Sequence, residues 1–312
     1  MERIQSAIAK ARAEREAQGR AAPLAAPVAA GAAPSGSPSP VQPLAHPLTP
    51  VPSEADPLRL GQPLIAASTG SAAEAMARWE RLPQFRADPA RLARHRIVAQ
   101  AGGHDASSFD VMRTKMLQQA RANGWRRIAI TSPSPGCGKS TIALNLGYSL
   151  ARQPENHTLL LELDLRRPSL VKMLDIQDRR SLAAVLEGEA SFEDCALRLG
   201  PGFALAGNAR PARNPAELLH SDRVTRNLSA IEALYAPDLL LFDMPPVLVS
   251  DDTMAFIGNV DAVLLIAAAE TTSIKEIDHC ERELAAQTNV MGVVLNKCRY
   301  MGKEYGYGYS YH

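Results

Sequence analysis

The sequence predicts an α/β fold: a doubly wound, mostly parallel sheet with helices on both faces. Three observations predict it. From residue 96 onward, short apolar runs of β type alternate with helical stretches. Those runs are continuously apolar rather than alternating, as strands of a parallel sheet covered on both faces must be. The first run leads through a Gly-containing loop into a helix, the local order of a phosphate-binding βα unit.

Taken in order, the chain divides into four parts. In residues 1–20, Ile4, Ala7, Ile8 and Ala11 fall at helical spacing before Gly19, which predicts a short amphipathic docking helix. Residues 21–95 hold eleven of the 23 prolines between Pro23 and Pro63, among Ala, Ser and Gly. Such a segment buries too little apolar surface to offset chain entropy, so it is expected to be a disordered linker. Helical turns are expected near its end, around Met76, Trp79 and Leu82. Residues 96–299 form the folded domain. Its expected strands are Arg127–Thr131, Leu159–Asp164, Phe203–Ala206, Leu239–Asp243, Val263–Ala267 and Gly292–Leu295. Its expected helices are Phe109–Ala122, Lys139–Arg152, Ser181–Leu186, Asn214–Leu219, Asp222–Leu234 and Ile274–Gln287. Residues 300–312 form a tail that holds five of the seven tyrosines, spaced by Gly and Ser.

Composition narrows the class. The 34 basic and 33 acidic side chains leave a net charge of +1, which gives no reason to expect a nucleic-acid partner. Cys137, Cys195, Cys280 and Cys298 lie far apart without metal-ligand spacing and read as reduced thiols. The N-terminus carries acidic residues and no apolar core of a secretory signal. The best apolar run, Ala262 to Ala269, is far shorter than the roughly 20 residues a membrane helix needs. A cytoplasmic location is therefore expected.

Four segments carry chemistry. Ser132-Pro-Ser-Pro-Gly-Cys-Gly-Lys-Ser-Thr141 follows the first strand and opens a helix. Gly136, Cys137 and Gly138 present loop amides to a phosphate without obstruction at the glycines, and the helix points its positive end at the anion. Lys139 is placed to reach the β- and γ-phosphates of ATP, Ser140 to ligate Mg²⁺ and Thr141 to bond the α-phosphate. Pro133 stands where the general phosphate-loop pattern has its first Gly. In Leu159-Leu-Leu-Glu-Leu-Asp-Leu-Arg-Arg-Pro168, the residues Glu162, Asp164 and Arg166 alternate toward a strand's carboxyl end, where open α/β sheets bind ligands. Two acids beside an anion imply a cation between them. Leu239-Leu-Leu-Phe-Asp243 is an apolar strand ending in an acid, the Walker B pattern, with Asp243 expected on the metal. Asn296, at the end of Gly292-Val-Val-Leu-Asn-Lys297, is a candidate for the adenine edge.

Together these segments resemble the bacterial tyrosine kinases of the CpsD/CapB family, which use a P-loop NTPase fold of the MinD/ParA-like kind. SPSPGCGKST matches that family's Walker A form, LLLELDLRRPSL its second acidic motif, NPAELLHSD its mid-domain segment and LLLFDMPPVLVSDD its Walker B region. GVVLNK precedes the tyrosine-rich end. The resemblance implies an ATP- and Mg²⁺-dependent autokinase that regulates exopolysaccharide or capsule synthesis. It implies catalytic roles for Lys139, Glu162, Asp164 and Arg166, metal binding by Ser140, Asp164 and Asp243, and phosphoacceptors at Tyr300, Tyr305, Tyr307, Tyr309 and Tyr311. It also implies a homo-oligomer, an inner-membrane co-polymerase as activator, and a tyrosine phosphatase. Two departures stand out. The family usually has Asp where this chain has Glu162, and the ExxRxxR helix pattern of many members reads Ser107, Asp110, Arg113 here. Two other functions remain in view: a nucleotide-binding regulator without kinase turnover, and a MinD/ParA-like positioning ATPase. The second is disfavoured by Ser134, which occupies the place of that group's early loop lysine.

Overall fold

The computed structural model describes residues 72–178 and 180–299. The expected docking helix of residues 1–20, the linker up to residue 71 and the tyrosine tail from Tyr300 lie outside the described residues. The chain builds helices α1 (Ala72–Arg81), α2 (Pro89–Arg94) and α3 (Ser107–Asn123), then β1 (Arg127–Thr131), α4 (Lys139–Ala151) and β2 (Thr158–Glu162). Three short helices follow, α5 (Leu170–Leu174), α6 (Leu182–Glu187) and α7 (Phe192–Cys195), then β3 (Leu197–Gly200) and β4 (Phe203–Ala206). The rest is α8 (Pro215–Leu219), α9 (Asp222–Tyr235), β5 (Leu239–Asp243), α10 (Asp252–Phe256), β6 (Ala262–Ala268), α11 (Ile274–Ala285) and β7 (Asn289–Asn296).

The sheet has seven strands in the order β3-β4-β2-β5-β1-β6-β7. All neighbours are parallel except β3 and β4. The continuous apolar runs explain this placement. Ala129, Leu159, Leu161, Leu240, Phe242, Val263 and Leu265 enter the core on one face. Ile128, Ile130, Leu160, Leu239, Leu241, Leu264 and Ile266 enter the core on the other. Side chains alternate across a strand, so only a strand covered on both sides can be apolar throughout.

β2 stops at Glu162, two residues before the expected end. Both Leu163 N and Asp164 N donate to the Asp243 carbonyl, at 2.9 and 3.0 Å, which takes the chain out of the regular ladder. The expectations also missed β3. It is a four-residue antiparallel edge strand, and its one fully buried residue gives no apolar run.

The expected linker is corrected at its far end: the packed chain extends back to residue 72. Trp79 is 1% exposed and Leu82 2% exposed, both inside the first core. The Trp79 indole N–H donates to the Pro201 carbonyl at 2.9 Å, and its ring meets His157 edge-on. α2 starts on a capped turn, with the Asp88 carboxylate accepting from Ala90 N and Arg91 N, and Pro89 suits the first helical turn. The helical turns expected around Trp79 are α1, whereas composition hid α2 because the Pro-rich stretch before it dominated the window. Met76, expected with Trp79 and Leu82, faces solvent at 42% exposure.

Among the described residues, no helix is long and apolar enough to cross a membrane.

Candidate active site

The carboxyl ends of β1, β2 and β5 lie side by side and deliver three motifs to one edge of the sheet. From β1 the chain passes into the loop 132–138. Gly136 and Gly138 have φ of +81° and +94°, a region that non-glycine residues avoid. A Cβ on Gly138 would also sit 2.3 Å from the Asn296 side-chain nitrogen. Gly138 ends the loop at the N-cap position before α4 and provides no side-chain cap. The amides of the first helical turn thus face outward as anion donors.

Several bonds brace the loop from behind. Ser132 Oγ and Cys137 Sγ both donate to the Ser134 carbonyl, at 2.9 and 3.2 Å. Leu248 N donates to the Pro133 carbonyl at 3.1 Å, so Pro133 joins the phosphate loop to the segment after β5. Thr131 Oγ1 and Thr253 Oγ1 both donate to the Pro245 carbonyl, at 2.6 and 2.7 Å. The Asn296 amide nitrogen donates to the Cys137 carbonyl at 2.8 Å, which makes it a brace for the loop.

The charged centre is compact. Lys139 Nζ lies 2.7 Å from Asp164 Oδ2 and 3.7 Å from Asp243 Oδ1. Burial works against the Lys139 charge, but Asp243 and Asp164 outweigh it, and the ammonium is held above its ordinary range. Asp243 is fully buried, and neither of its carboxylate oxygens has a hydrogen-bond partner. Its pKa is raised by that burial, against the opposing pull of Lys139 and the Ser140 hydroxyl. An unpartnered buried carboxylate is costly unless a cation joins it. Ser140, Asp164 and Asp243 fit a hard divalent ion such as magnesium. Among the described residues there is no ready cluster of three or more His, Cys, Asp or Glu for a metal. Such a site suits magnesium, which usually binds with one or two carboxylates, waters and phosphate oxygens.

Glu162 has a different place from the one expected for a catalytic acid. It is fully buried, and Oε1 accepts from Ser169 N at 2.5 Å and Leu170 N at 2.6 Å. Oε2 accepts from Asn208 N at 2.8 Å. Burial raises its pKa to about 7 against the pull of these amides. The carboxylate clamps the chain that carries Asp164 to the end of β4. Gly207 makes room for the longer side chain: a Cβ there would stand 2.9 Å from Val171 Cγ2 and 3.0 Å from Glu162 Oε2.

Arg166 also departs from expectation. Its Nε and Nη2 donate to the two oxygens of the fully buried Asp252, at 2.6 and 2.8 Å. It ties the second acidic motif to the start of α10 instead of joining the Lys139 centre. Sequence reasoning missed Asp252, Asn208 and Ser169. The two adjacent acids Asp251 and Asp252, after Walker B, were the available signal for the first. Asp110 and Arg113 of the altered α3 pattern turn inward. Arg113 donates to the Ser149 carbonyl at 2.9 Å, and Asp110 accepts from Ser149 Oγ at 2.6 Å and pairs with Arg152.

Comparison with known proteins adds a second line. Residues 128–304 match the family described as CobQ/CobB/MinD/ParA nucleotide binding domain. A putative tyrosine-protein kinase EpsB of Ralstonia nicotianae is 30% identical over 206 residues, covering 65% of this chain and 27% of the relative. Tyrosine-protein kinase YwqD of Bacillus subtilis is 29% identical over 208 residues, covering 66% of this chain and 86% of the relative. The solved kinase domain of VpsO superposes with a TM-score of 0.56 at 28% identity, covering 62% of this chain and 96% of that domain. The chain thus spans about a quarter of the EpsB relative's length.

Proposed function

Because this chain belongs to the CobQ/CobB/MinD/ParA nucleotide-binding family, where its relatives are bacterial tyrosine kinases, we propose that it is an ATP-dependent protein-tyrosine autokinase. It acts on its own C-terminal tyrosines and regulates exopolysaccharide or capsule assembly. One observation carries the reading. Lys139 sits between two buried acids, Asp164 and Asp243, at the end of an uncapped phosphate loop, and the Asp243 carboxylate oxygens accept no hydrogen bond.

The residues divide the work. The loop amides and Lys139 bind the phosphates and offset charge on the transferring group. Lys139 then exchanges its bond with Asp164 for one to phosphate, which frees Asp164 to orient a tyrosine hydroxyl. The γ-phosphorus bonds to the phenol oxygen as its bond to the β,γ-bridging oxygen breaks, and Asp164 takes the phenol proton. Ser140, Asp164 and Asp243 would hold magnesium, which supplies charge neutralisation at the phosphates when bound. Asn296 and Glu162 keep the loop and the acid-bearing segment in place.

The acceptors are Tyr300, Tyr305, Tyr307, Tyr309 and Tyr311, reached on a second copy of the chain. Each phosphate adds about −1.5 to −2 charge, so repeated modification loosens contacts among acidic partners and gives a switch. The chain works in the cytoplasm, recruited to the inner membrane by a polysaccharide co-polymerase, and a tyrosine phosphatase resets the tail. The EpsB, YwqD and VpsO similarities support the kinase part of this reading. The test is incubation of purified protein with Mg-ATP, followed by phosphotyrosine detection. Wild type gains phosphotyrosine, and Lys139→Ala reduces the signal at least about a hundredfold. ATP binding without phosphotyrosine, even with the co-polymerase present, would assign the chain to a regulator without turnover.

A further inference from the structure

A ridge of arginines borders the acid-bearing segment. Arg166 and Arg167 follow Asp164 after the buried Leu165 and are exposed. The loop after β4 carries Arg210 and Arg213, also exposed. Two contacts hold that loop against the same segment: Asn208 N donates to Glu162 Oε2 at 2.8 Å, and Ala212 N donates to the Leu165 carbonyl at 2.9 Å. Arg167 N in turn donates to Asp164 Oδ1 at 3.1 Å. The ridge therefore adjoins the carboxylate assigned to the tyrosine hydroxyl.

The charges are unequal in their pairing. Arg166 is engaged by Asp252, with Asp251 and Glu217 nearby. Arg167, Arg210 and Arg213 have no ion pair and no side-chain hydrogen bond among the described residues. These three uncompensated cations lie on segments joined by the Ala212–Leu165 hydrogen bond, a positive surface that suits a doubly charged phosphate ester, whose oxygens match the guanidinium fork. The sequence supplies such a ligand. Tyr305, Tyr307, Tyr309 and Tyr311 are spaced two residues apart, at most about 7 Å of extended chain, so binding of one phosphorylated tyrosine keeps the next local to the same subunit.

We infer that Arg167, Arg210 and Arg213 bind phosphotyrosine in the tail of a second copy, so that the first phosphorylation promotes the next. This rests on the autokinase reading. It adds a substrate preference: a tail already carrying phosphate.

The test measures binding to full-length Lys139→Ala protein, whose own tail stays unmodified. The probes are a synthetic peptide of residues 299–312 phosphorylated at Tyr305 and its unphosphorylated twin. The phosphorylated peptide is expected to bind about tenfold tighter or better. The added changes Arg210→Ala and Arg213→Ala are expected to bring the two peptides within about twofold. Both side chains are exposed, so an unchanged melting curve will show that the fold is intact. With Lys139 restored, the double variant is expected to keep the rate of first transfer and yield singly phosphorylated tails where wild type yields multiply phosphorylated ones. Equal affinity for both peptides overturns the inference, as does a preference that survives the double substitution. Displacement of the phosphopeptide by equal concentrations of inorganic phosphate, or of a DNA oligonucleotide of equal charge, also overturns it. Because the binding assay needs no turnover, loss of the autokinase reading and loss of this one are separate results.

Discussion

Glu162 shows how one methylene changes a residue's work. The resembled family has Asp at this place, yet the Glu162 carboxylate here reaches three backbone N–H groups, those of Ser169, Leu170 and Asn208. A shorter acid would withdraw from at least one of them. A buried donor left unsatisfied costs about 1–3 kcal/mol. Glu162→Asp is therefore expected to lower stability by about that much, although it restores the family's residue. Urea denaturation reads the change, and a variant as stable as wild type would refute the clamp. Asp243 is the opposite case, a fully buried carboxylate without hydrogen bonds, which makes sense as half of a cation site.

At the scale of elements, α4 carries the phosphate loop and must lie close to the sheet. Gly147 allows this, since a Cβ there would stand 2.2 Å from Phe203 Cζ. Replacing a mid-helix glycine by alanine ordinarily gains about 0.5–1 kcal/mol. Overpacking a filled core costs about 1–3 kcal/mol, and the Phe203 ring is fully buried and cannot step aside. Gly147→Ala is expected to destabilise, and a raised melting temperature would contradict that packing.

α11 is set by a different device, a capping box in which Glu276 N donates to Ser273 Oγ while the Glu276 carboxylate accepts from Ser273 N at 2.7 Å. The Ser273 backbone and hydroxyl hold the Glu276 pKa below its ordinary value of 4.5. A folded-state pKa below the unfolded one gives stability that is present above pH 4.5 and lost as pH falls through the lowered value. Ser273→Ala should cost about 1 kcal/mol at neutral pH. It should also return the Glu276 titration, followed by carboxyl-carbon NMR, toward 4.5. Identical titrations in the two proteins would remove the capping argument.

For the whole molecule, the extent of the folded unit is the testable quantity. α1 packs on α9 and seats Trp79 in the core, with its indole bonded to Pro201. A chain beginning at residue 72 keeps both of these contacts. One beginning at residue 96 loses Trp79 and Leu82, and the loss of a buried Trp alone is worth roughly 3–5 kcal/mol. Thermal melts of the two chains compare directly, and equal midpoints would return the domain boundary to residue 96.

The sequence by itself determined the parallel sheet, the phosphate loop and the two acidic strand ends. These are written in local signals: apolar runs such as Leu239–Asp243, glycines before Lys139, an acid at a strand's last residue. Only the tertiary structure decided what the remaining polar groups do. Asn296 braces a loop 159 residues away, Arg166 meets Asp252 86 residues on, and Glu162 gathers amides from two separate loops. The physical reason is that a buried polar side chain must find a partner, and the sheet's strand order, which no local pattern encodes, sets which distant groups come within hydrogen-bond reach.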